Sequence, residues 1–345
     1  MTKITIIGSE QSGKTTLAGK LGKKSNVTDV TMYDYAKNNR ILTSIDATGY
    51  PASVKALITA LNLSDVALLC IPPTGLDPLA AECIIALDLM KYKHGIVVLT
   101  KSDTTYPLAQ EELQAKLQKI TAGTALENWD YISISTTSFE GMEELKELIF
   151  TVGDRASKDL KELDSLRPRI IIDQSFNVTG IGCVVLGVTT QGTINAKDKM
   201  IAYPSKKELE IRSIQMHDVD VKSAPAGSRV GLALKGIQSK DIDRGFIVSQ
   251  EETVAVDFIL KCTLSALAKE FNLGDMLHLY VGLQSSPVKV TEIIEAENKV
   301  EKASPGKEYT LKLSGSKEIA YSKDDRFILA NLDEKQRFIA FGYKQ

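Results

Sequence analysis

At 345 residues the chain is too long for one ordinary core, and at roughly 150 residues per domain it predicts two or three. Its 43% hydrophobic and 25% charged residues exclude a disordered, collagen-like or disulfide-scaffold protein. Residues 1–150 carry 14 Lys+Arg against 17 Asp+Glu and residues 151–345 carry 28 against 27, so neither half has the basic excess that grips nucleic acid by bulk electrostatics.

No apolar run reaches the ~18 residues of a membrane span, and the start lacks the long apolar core of a signal peptide. Cys70, Cys83, Cys183 and Cys262 lie far apart without a Cys-x-x-Cys pair, which suggests neither a zinc site nor a disulfide framework. The expectation is a cytoplasmic protein with no membrane or DNA partner.

In chain order, short and nearly unbroken aliphatic runs occur at Ile4–Ile7, Leu42–Ile45, Val66–Ile71, Ile96–Leu99 and Tyr131–Ile134. Such runs suit buried parallel strands. Helix-like periodic stretches near 14–22, 51–62, 79–93, 108–120 and 140–150 alternate with them, which predicts a doubly wound α/β layer. Residues 151–168 read as the end of a last helix and a linker. From Arg169 the texture changes to short alternating runs between Gly and Asp turns, such as IGCVVLGVTT, RVGLALKG and GFIVSQ. That pattern predicts all-β structure. The boundaries expected are 1–165 for the α/β domain, 166–252 for a first β domain and 253–345 for a second.

Gly8-Ser9-Glu10-Gln11-Ser12-Gly13-Lys14-Thr15 fits G-x-x-x-x-G-K-[ST], and Thr16 follows. It sits between a predicted strand and a predicted helix, the context its mechanism needs. The glycines let backbone N–H groups curl around phosphate oxygens, Lys14 brings a point charge, and the Thr15 hydroxyl can hold Mg²⁺. Asp46-Ala47-Thr48-Gly49 ends the second run, where a carboxylate can serve Mg²⁺ and the Gly49 N–H can meet a γ-phosphate.

Thr100-Lys101-Ser102-Asp103 resembles the N-K-x-D guanine motif, with Thr in place of Asn. A fixed carboxylate accepts two N–H bonds from guanine and rejects adenine, which places an acceptor where guanine N1–H donates. Ser135-Thr136-Thr137 resembles the S-A-K base loop. Three such segments after successive strands, in order, predict a P-loop GTPase domain that binds GTP/GDP and Mg²⁺. They disfavour an ATP-using P-loop enzyme.

With these residues in view, the chain resembles the translational GTPases: elongation factor Tu, elongation factor one-alpha and SelB. Ile45-Asp46-Ala47-Thr48-Gly49-Tyr50 stands where the family has D-[AC]-P-G-H, and Gly75-Leu76-Asp77-Pro78 with Glu82 resembles the segment after the next strand. Asp173-x-x-Phe176-x-x-x-Gly180-x-Gly182 and Gly236-x-x-x-x-Asp241-Ile242-Asp243-Arg244-Gly245 resemble the family's second domain. Asp325-Arg326-Phe327-Ile328-Leu329 is similar to SelB, whose C-terminal mRNA-reading domain has no counterpart among these residues. The resemblance implies two β-barrels after the GTPase domain and partners such as tRNA or aminoacyl-tRNA, the ribosome or a tRNA-modifying enzyme. It also implies an aminoacyl-tRNA pocket at Asp173, Phe176, Asp241 and Arg244. Phe176 is alternatively, and by preference, a plain core aromatic. Asp241 and Arg244 are alternatively a turn salt bridge worth about 0–1 kcal/mol.

The departures predict a diverged member. Tyr50 occupies the place of the water-positioning histidine, and a phenol is a poor substitute for a ring that titrates near neutrality. Only 23 residues separate Gly22 from Asp46, which shortens the effector loop. Thr28 is the first choice there for a hydroxyl near Mg²⁺, with Thr31 the second. Thr48, Thr100 and Thr137 replace a proline, an asparagine and a lysine, and Gln174 stands where SelB suggests a basic residue. Weak or lost GTP hydrolysis is the expectation, and a pseudo-GTPase adaptor that binds little or no nucleotide is the alternative. His94, His217 and His278 are dispersed and read as structural, as does Trp129.

Overall fold

The computed structural model describes residues 1–37 and 40–345. They form two compact units, one of Met1–Ser157 with Lys335–Phe338 and one of Lys158–Glu334 with Ile339–Gln345.

The first unit runs β1 (Thr2–Gly8), α1 (Lys14–Leu21), β2 (Lys23–Val27), β3 (Thr31–Lys37), β4 (Arg40–Asp46), α2 (Val54–Asn62) and β5 (Val66–Ile71). It continues with α3 (Pro78–Leu89), β6 (Gly95–Leu99), α4 (Pro107–Thr121), β7 (Asp130–Ser133) and α5 (Met142–Lys161). Among the described residues the sheet order is β2-β3-β4-β1-β5-β6-β7. β4, β1, β5, β6 and β7 are mutually parallel. Their aliphatic side chains, with Leu17, Leu145 and Ile149 from the helices, make a continuous core. This is the doubly wound layer the sequence predicts.

Two features exceed that prediction. Residues expected to form a shortened effector loop fold instead into β2 and β3, which extend the sheet antiparallel from β4, with Thr31 opposite Asp46. Helix α3 starts sharply, because the Asp77 side chain accepts the Ala80 N–H at 2.8 Å and Pro78 occupies its first turn. Most of α3 is apolar and buried, and Glu82 is the carboxylate buried among those residues.

In the second unit, β8 (Arg169–Val178), β9 (Gly182–Gln191), β10 (Ile194–Asn195), β11 (Lys199–Tyr203) and β12 (Lys207–Met216) come first. β13 (Val219–Val221), β14 (Ser223–Ala224), β15 (Arg229–Lys235) and β16 (Ile247–Ser249) follow. The ring β11-β16-β8-β9-β15-β12 closes through β11–β12, a six-stranded barrel. A second barrel in the same unit contains β17 (Thr253–Leu264), β18 (Phe271–Asn272), β19 (Met276–Val281), β20 (Gln284–Glu295), β21 (Asn298–Val300) and β22 (Lys302–Ala303). It is completed by β23 (Glu308–Tyr321), β24 (Phe327–Ala330) and β25 (Phe338–Lys344), and closes through β19–β20. Closure removes the free strand edges. The buried Arg169 clamps the two barrels, its Nε donating to Glu252 at 2.7 Å and its Nη atoms to Asp325 at 3.0 and 2.5 Å.

Candidate nucleotide-binding site

The phosphate loop turns where the sequence provides the necessary backbone freedom. Gly8 has φ 151° and Gly13 φ 86°, and a Cβ on Gly8 would meet the Cys70 carbonyl at 2.5 Å. A side chain there would displace the loop from β5. Lys14 is buried, and its ammonium donates to the Ser9 carbonyl at 3.0 Å. Thr15 Oγ1 donates to Asp46 Oδ2 at 2.6 Å. Burial raises the Asp46 carboxyl above the usual range, opposed by the Thr15 hydrogen bond and the Lys14 charge.

Among the described residues, three buried atoms around this loop have no protein partner: Ser9 Oγ, Ser12 Oγ and Asp46 Oδ1. A buried polar atom without a partner costs about 1–3 kcal/mol, so such atoms cluster where a ligand completes them. Their chemistry fits a polyphosphate with its magnesium ion. An adjoining cavity of about 540 Å³ is lined by Glu10, Gln11, Lys14, Thr15, Thr48, Gly49, Tyr50, Pro51 and Ala52. Thr16 lies exposed in the first turn of α1.

The expected base loops lie side by side. Thr100 Oγ1 donates to the Ser12 carbonyl at 2.6 Å, so the residue replacing asparagine grips the phosphate loop. Lys101 adopts φ 56°, and the Ser102 N–H donates to the Ile134 carbonyl at 3.0 Å. Ser135 Oγ accepts the N–H groups of Thr137 and Ser138 at 3.1 and 3.0 Å. Asp103 and Thr137 are exposed and Thr136 is half-buried. Trp129 packs on Gly95, the first residue of β6, in agreement with a packing role.

The segment after Asp46 is arranged differently from expectation. The Gly49 N–H, expected to face a γ-phosphate, donates to the Asp29 carbonyl at 2.8 Å. A Cβ on Gly49 would meet that oxygen at 2.8 Å and the Ala56 Cβ at 2.9 Å. Thr31 Oγ1 and Thr48 Oγ1 are 3.1 Å apart. The Thr28 hydroxyl bonds within its own hairpin, accepting the Val30 N–H at 3.3 Å.

Tyr50 is 3% exposed, and its hydroxyl lies 2.8 Å from Glu82 Oε2 and 2.9 Å from the Leu79 carbonyl. Burial above all, then the neighbouring Cys83 and Glu82, pushes the phenol far up, so it remains a neutral donor. Its hydroxyl is thus engaged by Glu82 and the Leu79 carbonyl. Arg337 completes this cluster. Its Nε and Nη2 donate to Glu82 Oε1 and Oε2 at 2.9 and 2.5 Å, and its own N–H reaches Oε1 at 3.0 Å. Its Nη1 donates to the Pro51 carbonyl at 2.7 Å, and its guanidinium lies 5.5 Å from the Tyr50 ring centroid. No local pattern in the sequence signals Arg337, which lies 255 residues from Glu82.

In the first barrel, Asp173 sits at a β-bulge in β8 and forms an ion pair with Arg244, whose Nη2 lies 2.9 Å from its Oδ1. Asp241 pairs instead with Lys207 at 2.7 Å, and that bond holds its carboxyl below the usual range. The turn salt bridge between Asp241 and Arg244 is thus replaced by two separate pairs. Ser175 Oγ donates to the Ile242 carbonyl at 2.7 Å, laying the 239–246 segment along β8. Phe176 is 40% exposed and is not a core aromatic.

A family model described as Elongation factor Tu domain 2 matches residues 182–249. The chain is 31% identical over 326 residues to an uncharacterized protein of Methanocaldococcus jannaschii, covering 94% of each. It is 29% identical over 309 residues to the selenocysteine-specific elongation factor of the same organism, covering 83% of this chain and 65% of that protein. Among solved structures, the apo form of translation elongation factor SelB from Methanococcus maripaludis aligns with all of this chain and 79% of its own. The TM-score is 0.84 at 25% identity. The complex of the same factor with the GTP analogue GppNHp aligns with all of this chain and 78% of its own, with a TM-score of 0.82 at 24% identity.

Proposed function

This chain belongs to the translational GTPase family, in its SelB-like group, and from that premise we propose that it binds GDP and GTP with Mg²⁺ and hydrolyses GTP slowly or not at all. The observation that carries the proposal is the set of orphaned buried atoms Ser9 Oγ, Ser12 Oγ and Asp46 Oδ1 around Lys14 and Thr15. In this reading the amides of Gly8–Thr16 cradle the phosphates and Lys14 neutralises them. Thr15 and Asp46 hold the magnesium ion, which supplies charge neutralisation when bound. Thr28 stays with its hairpin and is not assigned to the metal. Thr100 fixes the loop, while Lys101 and Asp103 face the base beside Ser135, Thr136 and Thr137.

Slow hydrolysis follows from two engaged groups. The Gly49 N–H is taken by Asp29 and the Tyr50 hydroxyl by the Glu82 and Leu79 oxygens. Neither is presented to an attacking water, whose orientation supplies much of the acceleration in such enzymes. The same observation favours a second reading, in which the protein acts as a pseudo-GTPase adaptor for the ribosome or a tRNA-modifying enzyme in the cytoplasm.

Binding of tRNA or aminoacyl-tRNA by the first barrel is the further part of the proposal. Exposed Phe176 offers a stacking face on β8, and the Asp173–Arg244 and Lys207–Asp241 pairs offer polar groups in the same barrel. Competition of GDP, GTP and ADP for a fluorescent guanine nucleotide tests the first part. Displacement by guanine nucleotides alone supports it, and no binding of the probe at all leaves the adaptor reading.

A further inference from the structure

Glu82, Arg337, Tyr50 and Pro51 form a closed polar cluster next to the cavity that Gly49, Tyr50 and Pro51 line. Glu82 is 3% exposed and would be an isolated buried charge without a cation. Arg337 supplies that cation in the two-pronged geometry a guanidinium matches and an ammonium does not. Its third contact, Nη1 to the Pro51 carbonyl, connects the ion pair to the backbone just beyond Gly49. On the other side the Asp29 carbonyl holds the Gly49 N–H. The Ala47–Ala52 turn is therefore held from two directions by protein groups, with the phosphate loop contributing no bond to either hold.

We propose that Arg337 is a positioning residue of the nucleotide site: through Glu82, Tyr50 and Pro51 it locks the Ala47–Ala52 turn in one conformation whichever nucleotide is present, so that the γ-phosphate is not sensed. This rests on the reading of Gly8–Thr16 as a nucleotide site. A turn that reports the γ-phosphate must exchange its bonds for bonds to that group. Here that exchange requires Gly49 to leave Asp29 while Pro51 stays tied to Arg337. The consequence is equal affinity for GDP and GTP, because a ligand shifts an equilibrium only by its differential affinity for the two states.

Hydrogen–deuterium exchange of the peptide spanning residues 46–56 in the nucleotide-free protein, with GDP and GppNHp titrations alongside, tests the proposal. The variants are Arg337→Lys, which keeps a charge beside Glu82, and Tyr50→Phe, which removes one hydroxyl. Exchange in this peptide is expected to accelerate about tenfold in Arg337→Lys and less in Tyr50→Phe, as local opening becomes easier. The GppNHp-to-GDP affinity ratio is expected within about threefold of unity in the wild type and to rise severalfold in Arg337→Lys. Unchanged exchange in both variants overturns the lock, as does a wild-type preference for GppNHp above about tenfold. If the wild type binds neither nucleotide, the nucleotide reading fails by itself, and the exchange result still decides whether Arg337 holds the turn.

Discussion

The phosphate loop and the Ala47–Ala52 turn border the same cavity and have opposite hydrogen-bonding states. Around the loop, Ser9 Oγ, Ser12 Oγ and Asp46 Oδ1 are buried without partners among the described residues. Around the turn, the Gly49 N–H, the Thr48 and Tyr50 hydroxyls and the Pro51 carbonyl all have protein partners. A folded chain leaves buried polar atoms unpaired where something else pairs them, and it satisfies its own groups where the conformation is fixed. One region keeps buried polar atoms open and the other has bonded its own groups.

That contrast can be broken first at its closed side. Arg337→Ala leaves Glu82 as an unpaired buried carboxylate and should destabilise the protein by about 3–5 kcal/mol, measured by chemical denaturation. A double replacement by apolar residues, Arg337→Met with Glu82→Leu, should recover most of that loss. Recovery would separate the cost of an unpaired charge from the intrinsic value of the ion pair.

On the open side, Lys14→Ala should weaken nucleotide binding by about a hundredfold, since it removes a charge-assisted contact to phosphate. Calorimetric titration would show whether it does. Unaltered affinity would mean that phosphates do not lie against Lys14. Asp103→Asn should move selectivity from guanine towards xanthine nucleotides by at least about tenfold. Unchanged selectivity would remove the carboxylate from base recognition.

Smaller effects sharpen the comparison. Tyr50→His should leave single-turnover GTP hydrolysis within about twofold of wild type, because the side chain at this position is directed at Glu82 and the Leu79 carbonyl. A large rise would show that the turn reaches the γ-phosphate after all. Asp46→Asn should raise the melting temperature of the nucleotide-free protein at pH 7. Burial holds the folded carboxyl above its unfolded value, so ionisation is less favourable in the fold. The gain should be present above the folded pKa and fade as pH falls towards the unfolded one.

The phosphate loop was legible in the sequence because its chemistry is local: Gly8 to Thr15 are consecutive, and a strand and a helix flank them. The parallel strands were equally legible from unbroken aliphatic runs. β2 was not, since Lys-Lys-Ser-Asn-Val has no alternation and is mostly exposed, so its place on the sheet is set by pairing with β3 rather than by its own pattern. Thr100 read as a weakened base residue because its grip on the Ser12 carbonyl spans 88 positions. The Glu82–Arg337 pair spans 255, and a lone charge in each of two distant segments carries no signal until folding brings them together. Residue type favours burial for Phe176, whereas the barrel leaves it exposed.

The most direct measurement is calorimetric titration of the nucleotide-free wild-type protein with GDP, GppNHp and ADP in the presence of Mg²⁺. An open phosphate loop beside a locked turn gives binding of both guanine nucleotides with affinities within about threefold of each other, and no comparable binding of ADP. Binding of none of them, or tighter binding of ADP, would contradict the assignment of this cleft to a guanine nucleotide.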